Sequence, residues 1–348
     1  MINEWSPVKL LRKGRNRLLR KTLILMYHRV IDLEHDSFKL AVSTQHFLEH
    51  MEVLNRYFNP ISLTQLAATL KEGKELVRNS VVITFDDGYA DNFIYAKPIL
   101  ERTDVPATIF VAANHLGKEV EFWWDRLERM MLEPAQLPDS LTLSLGNELF
   151  EWKNDSVNEE YINSVDNDTV WTFYSSGNVE PRHALFRKLY SKLRLVSDHE
   201  RQECLHYLKQ WSGAGNKART SYLSMSHNQI QEAALGGLIE IGSHTMNHHN
   251  LAALTRDEQF SEIVDSRKVL QDLTGKDVTT FSYPFGYRGE HYTEETVEIV
   301  KSAGYSCACS GFPGWTLKKT DLFQLPRHVV FDWDAETFEK QIKQWFVA

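Results

Sequence analysis

The stretch Val81-Val-Ile-Thr-Phe-Asp-Asp-Gly-Tyr89 places two adjacent carboxylates and a glycine directly after an uninterrupted apolar and β-branched run. A run this short and this apolar reads as a strand covered on both faces, the pattern of a parallel sheet. Asp86 and Asp87 then fall at its carboxyl end, where α/β sheets and barrels place their sites. Successive strand residues point to opposite faces, so a bend is needed to bring both carboxylates to one side, and Gly88 supplies the backbone freedom. Two carboxylates so close repel unless a cation or a proton separates them. One Asp on a metal beside one acting as a base would relieve the repulsion. An Asp-Asp-Gly turn closing a strand is the plainer reading, and this stretch alone leaves both open.

The rest of the chain repeats the rhythm. Leu23–Tyr27 is a strand candidate that delivers His28 and Arg29. Ser43–Leu54 and Ser62–Leu70 carry helical spacing with Ser at their starts. A short helix over Ala96–Arg102 precedes a strand over Ala107–Val111. Further strands are expected at Leu238–Gly242, Thr279–Tyr283, Tyr305–Cys309 and His328–Asp332. The helix between the first two of these starts on the capping box at Thr255 and stops at Gly275. Seven strands alternating with helices predict an α/β fold of the curled or barrel kind. Between about residues 117 and 237 the chain becomes Trp-rich and helical. Helices are expected near Pro181–Leu195 and His199–Trp211, with a hairpin over Leu141–Trp152 turning at Gly146-Asn147. This reads as an insertion. Its aromatic triplet Phe122-Trp123-Trp124 fits either a sugar-binding surface or an apolar anchor.

Composition sets outer bounds. The chain has 348 residues, 42% hydrophobic and 25% charged, which suits an ordinary globular protein. A formal charge of -8 argues against nucleic acid as the main partner. Three cysteines with no C-x-x-C pair supply neither a disulfide framework nor a thiolate zinc site, and fit a reducing compartment. No signal peptide or membrane span is legible, so a cytoplasmic location is expected. Residues 8–21 interleave seven Lys/Arg with leucines, a basic arm (1–22) suited either to solvent or to the inner face of an anionic membrane.

Ile241-Gly-Ser-His244-Thr-Met-Asn-His248-His249 follows a predicted strand. On one helical turn, His244 and His248 would face the same way, as metal ligands do, while His249 would point elsewhere. With fourteen histidines in the chain, about half of one such pair is expected by chance, so the pair gains weight only beside Asp86-Asp87. Both lie at carboxyl ends of predicted strands and should meet at one rim. One Asp and two His leave positions open for water and substrate. Phe281-Ser-Tyr-Pro-Phe-Gly286 ends another strand in a loop able to aim backbone N–H groups at an oxyanion.

Thr84-Phe-Asp-Asp-Gly88, His244-Thr-x-x-His248 and Tyr283-Pro-Phe-Gly286, in this order, resemble the polysaccharide deacetylase family (carbohydrate esterase family four). The likeness spans roughly Leu23–Asn114, including Met26-Tyr-His-Arg29, and Ile230–Phe331. It implies a deformed (β/α)7-type barrel, with residues 23–348 as the catalytic domain carrying the mainly helical insertion. It also implies a divalent metal, zinc above all with Co, Ni or Mn as alternatives, held by Asp87, His244 and His248. Asp86 would be the general base and the backbone N–H of Phe285 the oxyanion donor. The substrate implied is an acetylated amino sugar in a glycan or glycan precursor. Removal of a formyl group, cleavage of an O-acetyl ester, and a glycan-binding relic without turnover are the alternatives. The family's orienting Arg is replaced by Ser282, and Arg327 is the candidate to stand in; Arg327, Tyr283 and Trp124 are also the candidate substrate contacts. No late Leu-x-His is recognisable, so His28 and His328 are the candidates for the general acid. The sequence sets no oligomeric state.

Overall fold

A computed structural model describes residues 20–146, 148–153, 172–175 and 180–347. Most of the basic arm therefore lies outside the described residues. The chain divides into two compact units: residues 1–33, 40–116 and 225–348 form one, and residues 34–39 and 117–224 the other.

The first unit is a curled half-barrel of seven parallel strands: β1 (Thr22–Tyr27), β2 (Ser80–Phe85), β3 (Ala107–Val111), β4 (Ile239–Ser243), β5 (Thr280–Ser282), β6 (Cys307–Cys309) and β7 (His328–Val329). Their order across the sheet is β6-β5-β4-β3-β2-β1-β7. Asn59–Pro60 pairs with the start of β2 before β3 begins. The edges approach through the segment before β7, where Cys309 bridges Leu325 and the Ala308 and Ser310 backbones bond residues 322 and 325. Helices α1 (Thr44–Tyr57), α2 (Leu63–Lys71), α3 (Lys97–Thr103), α4 (His227–Leu235), α5 (Arg256–Thr274), α6 (Glu294–Ser302) and α7 (Ala335–Val347) complete the unit. Thr255 and Glu258 make the expected reciprocal cap on α5, and Gly275 ends it at φ 65°.

Strand parity sorts the side chains. Leu23, Leu25, Tyr27, Val81, Ile83 and Phe85 pack outward with α1 residues such as Phe47 and Met51. Ile24, Val82, Phe110, Cys307, Cys309 and Leu325 form a separate interior cluster with Leu63 and Leu66 of α2. Even-numbered residues of β1 and β2 therefore face inward, which aims Thr84 and Asp86 into the barrel. Gly242 sits where a Cβ would come within 2.5 Å of the Phe110 ring, so β4 can lie against that ring only with glycine there.

Two expectations change. The predicted last strand, His328–Asp332, is paired only over His328–Val329, because Asp332 instead accepts hydrogen bonds from Ser43 and His46 at the start of α1. Helix α4 belongs to the barrel unit rather than to the insertion: Ile230, Ala233 and Ala234 pack into the barrel's outer core.

The second unit is built from helices Trp123–Leu132, Pro181–Leu193 and Asp198–Ser212 with an antiparallel hairpin, Ser140–Leu145 against Glu148–Lys153. Leu185, Leu189 and Leu193 form the buried stripe their spacing predicts. Residues 34–39 join it through Phe38, whose ring packs against Phe173, Phe186 and Tyr190. A buried ion network in which Arg219 meets Glu121 and Glu128, and Arg129 meets Glu121, ties its loops together. Among the described residues no helix is long and apolar enough to cross a membrane.

Candidate active site

The Asp86 backbone N–H still bonds the Tyr27 carbonyl, so Asp86 behaves as the next inward residue of β2. Asp87 then takes a left-handed conformation at φ 72°, followed by Gly88 at φ 79°. The bend is thus shared by the aspartate itself, one of the few residue types that enters this region readily. A Cβ on Gly88 would press on Val111 at 3.2 Å.

His244 and His248 do not lie on a helical turn. The chain leaves β4 in an irregular loop with Thr245 at φ 66° and His248 at φ 55°, closed by a hydrogen bond from the His248 N–H to Thr245 Oγ1 at 3.0 Å. The loop brings His248 back where a helix was expected to do so. His244 Nε2 lies 3.7 Å and His248 Nε2 3.3 Å from Asp87 Oδ1, and all three residues are buried. Two ligands each about 2.1 Å from one cation at tetrahedral angles are about 3.4 Å apart, so the spacing matches a shared ion. Two further observations fit. His244 Nδ1–H donates to the Ser282 carbonyl at 2.8 Å, which fixes the tautomer and presents the Nε2 lone pair to the cluster. Burial also lowers the His244 pKa, outweighing the pull of Asp86, and so favours the neutral imidazole a metal requires. His249, as expected, points elsewhere, toward Glu262 on α5.

Asp86 is clamped from the barrel's closing segment. Arg327 donates Nη1–H to Asp86 Oδ1 and Nη2–H to Oδ2, both at 2.7 Å. Its remaining donors go to Ser282 Oγ at 2.8 Å, Thr84 Oγ1 at 3.2 Å and the Ser310 carbonyl at 2.8 Å. All five guanidinium N–H groups are thereby used. Burial alone would raise the Asp86 carboxyl, but Arg327 and then His244 outweigh it and hold the pKa at about 2. Asp86 is a carboxylate at any ordinary pH.

The remaining candidates separate by parity. His28 is half-buried on the inward side and within electrostatic range of Asp86, Arg327 and His244. Burial is the main cause that lowers its pKa to about 4, against the opposing pull of Asp86. His328 points outward: its ring stacks on Trp345 at 4.2 Å and its Nε2 bonds the Gly314 carbonyl at 3.0 Å, away from Asp86. It takes no part in the cluster. Three expected substrate contacts are also corrected. Arg327 is 1% exposed and saturated with protein partners. Tyr283 is buried, stacked on Tyr292 at 3.9 Å and bonded to the Phe323 carbonyl. Trp124 is buried within its own unit, stacked on Phe122 at 4.6 Å and edge-on to Trp123, so the anchor reading holds there. Phe285, at φ 61°, sets its ring against His248 and His291 at 4.8 and 5.3 Å.

Two supports were not anticipated. Arg29 is 2% exposed and pairs with Asp91 at 2.9 Å, while the Val30 N–H bonds the same carboxylate and Asn92 bonds the His28 carbonyl. These contacts pin the segment carrying His28 to the segment after β2. Glu262, buried on α5, receives the loop that carries His248.

A curled parallel β/α barrel with an Asp-His-His cluster and a clamped second Asp at its carboxyl rim defines the class of molecule. A family model described as polysaccharide deacetylase matches residues 73–166 and 195–308, more than half of the chain. The chain belongs to the polysaccharide deacetylase family. YxkH of Bacillus subtilis, which carries a polysaccharide deacetylase name, is 22% identical over 308 residues, covering 88% of this chain and 70% of that one. The poly-β-1,6-N-acetyl-D-glucosamine N-deacetylase of Escherichia coli K12 is 32% identical over 84 residues, only 24% of this chain and 12% of that one. Among solved structures, the Streptococcus pyogenes deacetylase PplD in complex with acetate superposes with a TM-score of 0.56 at 15% identity, covering 92% of this chain and 98% of that one. IcaB from Ammonifex degensii gives 0.57 at 16%, covering 94% and 98%. At such identities the structural likeness establishes the fold.

Proposed function

We propose that this protein is a divalent-metal-dependent hydrolase that removes N-acetyl groups from an amino sugar within a glycan or glycan precursor. The observation that carries the reading is the meeting of Asp87, His244 and His248 beside a second carboxylate held separately by Arg327. A binding site alone has no use for that clamped carboxylate. Zinc suits two imidazoles and one carboxylate, with cobalt, nickel or manganese as substitutes.

A divalent cation held by Asp87, His244 and His248 would supply Lewis acidity toward an acyl oxygen and toward water. The protein's own groups do the rest. Asp86, ionised and fixed by two charge-assisted hydrogen bonds, accepts the proton of the attacking water. The backbone N–H of Phe285 supports the oxyanion. His28 is neutral above pH about 4, so it carries no excess proton at neutral pH. The proton taken by the leaving amine is therefore the one Asp86 accepted. Acetate and the free amine result.

Acetate release from N-acetylglucosamine oligomers, with zinc or cobalt supplied, tests the reading. Turnover that chelation abolishes and metal restores supports it. Tight metal binding with no release from any N-acetyl, N-formyl or O-acetyl sugar overturns it.

A further inference from the structure

The loop that returns His248 to the cluster holds two non-glycine residues, Thr245 and His248, in left-handed conformations. Each such residue is strained and persists only where its surroundings over-determine it. Those surroundings converge on one side chain. Glu262 Oε2 accepts the backbone N–H groups of Met246 at 3.0 Å and Asn247 at 2.9 Å. Its Oε1 accepts the Asn247 amide at 2.6 Å and His249 Nδ1–H at 3.1 Å. Four hydrogen bonds thus grip the residues on both sides of His248. The loop's other ties run from Ala113 and Asn114 to Thr245, Met246 and Asn247, with the His248 N–H bonded to Thr245 Oγ1 and the His248 ring set against Phe285. His244 is independent of all of these, seated at the end of β4 with Nδ1 on the Ser282 carbonyl.

We infer that Glu262 is a positioning residue for the metal centre: from helix α5 it holds His248 in the cluster, and so sets cation affinity without touching the cation. This rests on the reading that Asp87, His244 and His248 share one cation. Without Glu262, Met246 and Asn247 can bond water, the left-handed residues relax, and His248 swings out while Asp87 and His244 remain. The helix itself stays in place through Ser266, bonded to Ser243 at 2.7 Å, and Gln259, bonded to Thr296 at 2.6 Å.

The test titrates zinc and cobalt into metal-free full-length protein, wild type against Glu262→Ala and Glu262→Gln, with melting temperature recorded in parallel. Outer partners of metal ligands typically set 10–100-fold in affinity, so Glu262→Ala is expected to weaken zinc by that factor and to alter the visible absorption of bound cobalt. Glu262→Gln keeps an oxygen for the two backbone donors and should fall between. A merely structural role would lower the melting temperature while leaving cobalt absorption and zinc affinity intact at temperatures where the protein is folded. Zinc affinity within twofold of wild type in folded Glu262→Ala, with an unchanged cobalt spectrum, overturns the inference. Should Glu262→Ala fail to fold, Glu262→Gln decides: weaker zinc supports the inference and wild-type affinity overturns it. A wild-type protein that takes up no stoichiometric cation overturns the site reading itself.

Discussion

Replacing Arg327 by Met removes one side chain and exposes how the site's electrostatics are built. The guanidinium is 1% exposed, its carboxylate partner 5%, and two 2.7 Å hydrogen bonds join them. Met fills similar space without charge, leaving Asp86 buried and unpaired, a change that costs about 3–5 kcal/mol when one partner of a buried pair is removed. The carboxyl answers by holding its proton. With Arg327 it sits at about 2, below the ordinary 3.8. In wild type the pair's stabilisation is therefore present above pH about 4 and lost as pH falls toward 2. In Arg327→Met burial prevails, the folded pKa rises above the unfolded one, and the sign reverses: stability falls as pH rises through 4. The assay is urea denaturation of metal-free protein at pH 7.5 for wild type, Arg327→Met, Asp86→Asn and the double variant. A coupling of about 3 kcal/mol is expected, with the double variant more stable than Arg327→Met alone. Lys at 327 should rescue only partly, because an ammonium cannot form the planar two-point contact. A loss under 1 kcal/mol in Arg327→Met, or additive effects, would refute the clamp.

Four further outcomes are expected. His50, buried between Tyr27 Oη at 3.1 Å and the Trp333 carbonyl at 2.7 Å, has its pKa lowered to about 4, chiefly by burial; stability should fall as pH drops from 6.5 toward 4, and melts of His50→Gln should lose that slope. Asp86→Asn should keep stoichiometric zinc while kcat falls by roughly 10²–10⁴, His28→Ala should fall by less, and His328→Ala should change melting temperature rather than kcat. A Cβ at position 286 would lie 2.3 Å from the Gly311 nitrogen, at φ 77°; Gly286→Ala should therefore destabilise by about 2 kcal/mol or more in urea titration and impair catalysis through Phe285. Chelation should abolish acetate release, with activity returning in proportion to zinc re-added.

The strands were legible because parallel strands buried on both faces leave unmistakable apolar runs, and Ala107–Val111 is read to the residue. The apolar pattern over His328–Asp332 runs past the paired strand because its end is committed to the start of α1, a contact 286 residues away in sequence that no local pattern reports. The metal-ligand set was legible from residue type and strand-end position, while its backbone was not: the spacing of His244 and His248 suggests a helical turn, and a left-handed loop achieves the same convergence. Parity along the strands carries this information. Counting inward from Val82 and Ile24 places Asp86 and His28 inside, and counting from Leu325 places Arg327 inside and His328 outside. The Trp124 anchor, by contrast, depends on tertiary packing that residue type cannot report.

The central claim is that Asp87, His244 and His248 grip one cation while Asp86 is held apart by Arg327. Crystals of the full chain grown with zinc, examined by anomalous scattering at the zinc edge, test it most directly. One peak about 2.0–2.2 Å from Asp87 Oδ1 and from Nε2 of both histidines is expected, with Asp86 still bonded to Arg327. A peak elsewhere, or these three side chains parted with no ion among them, would contradict it.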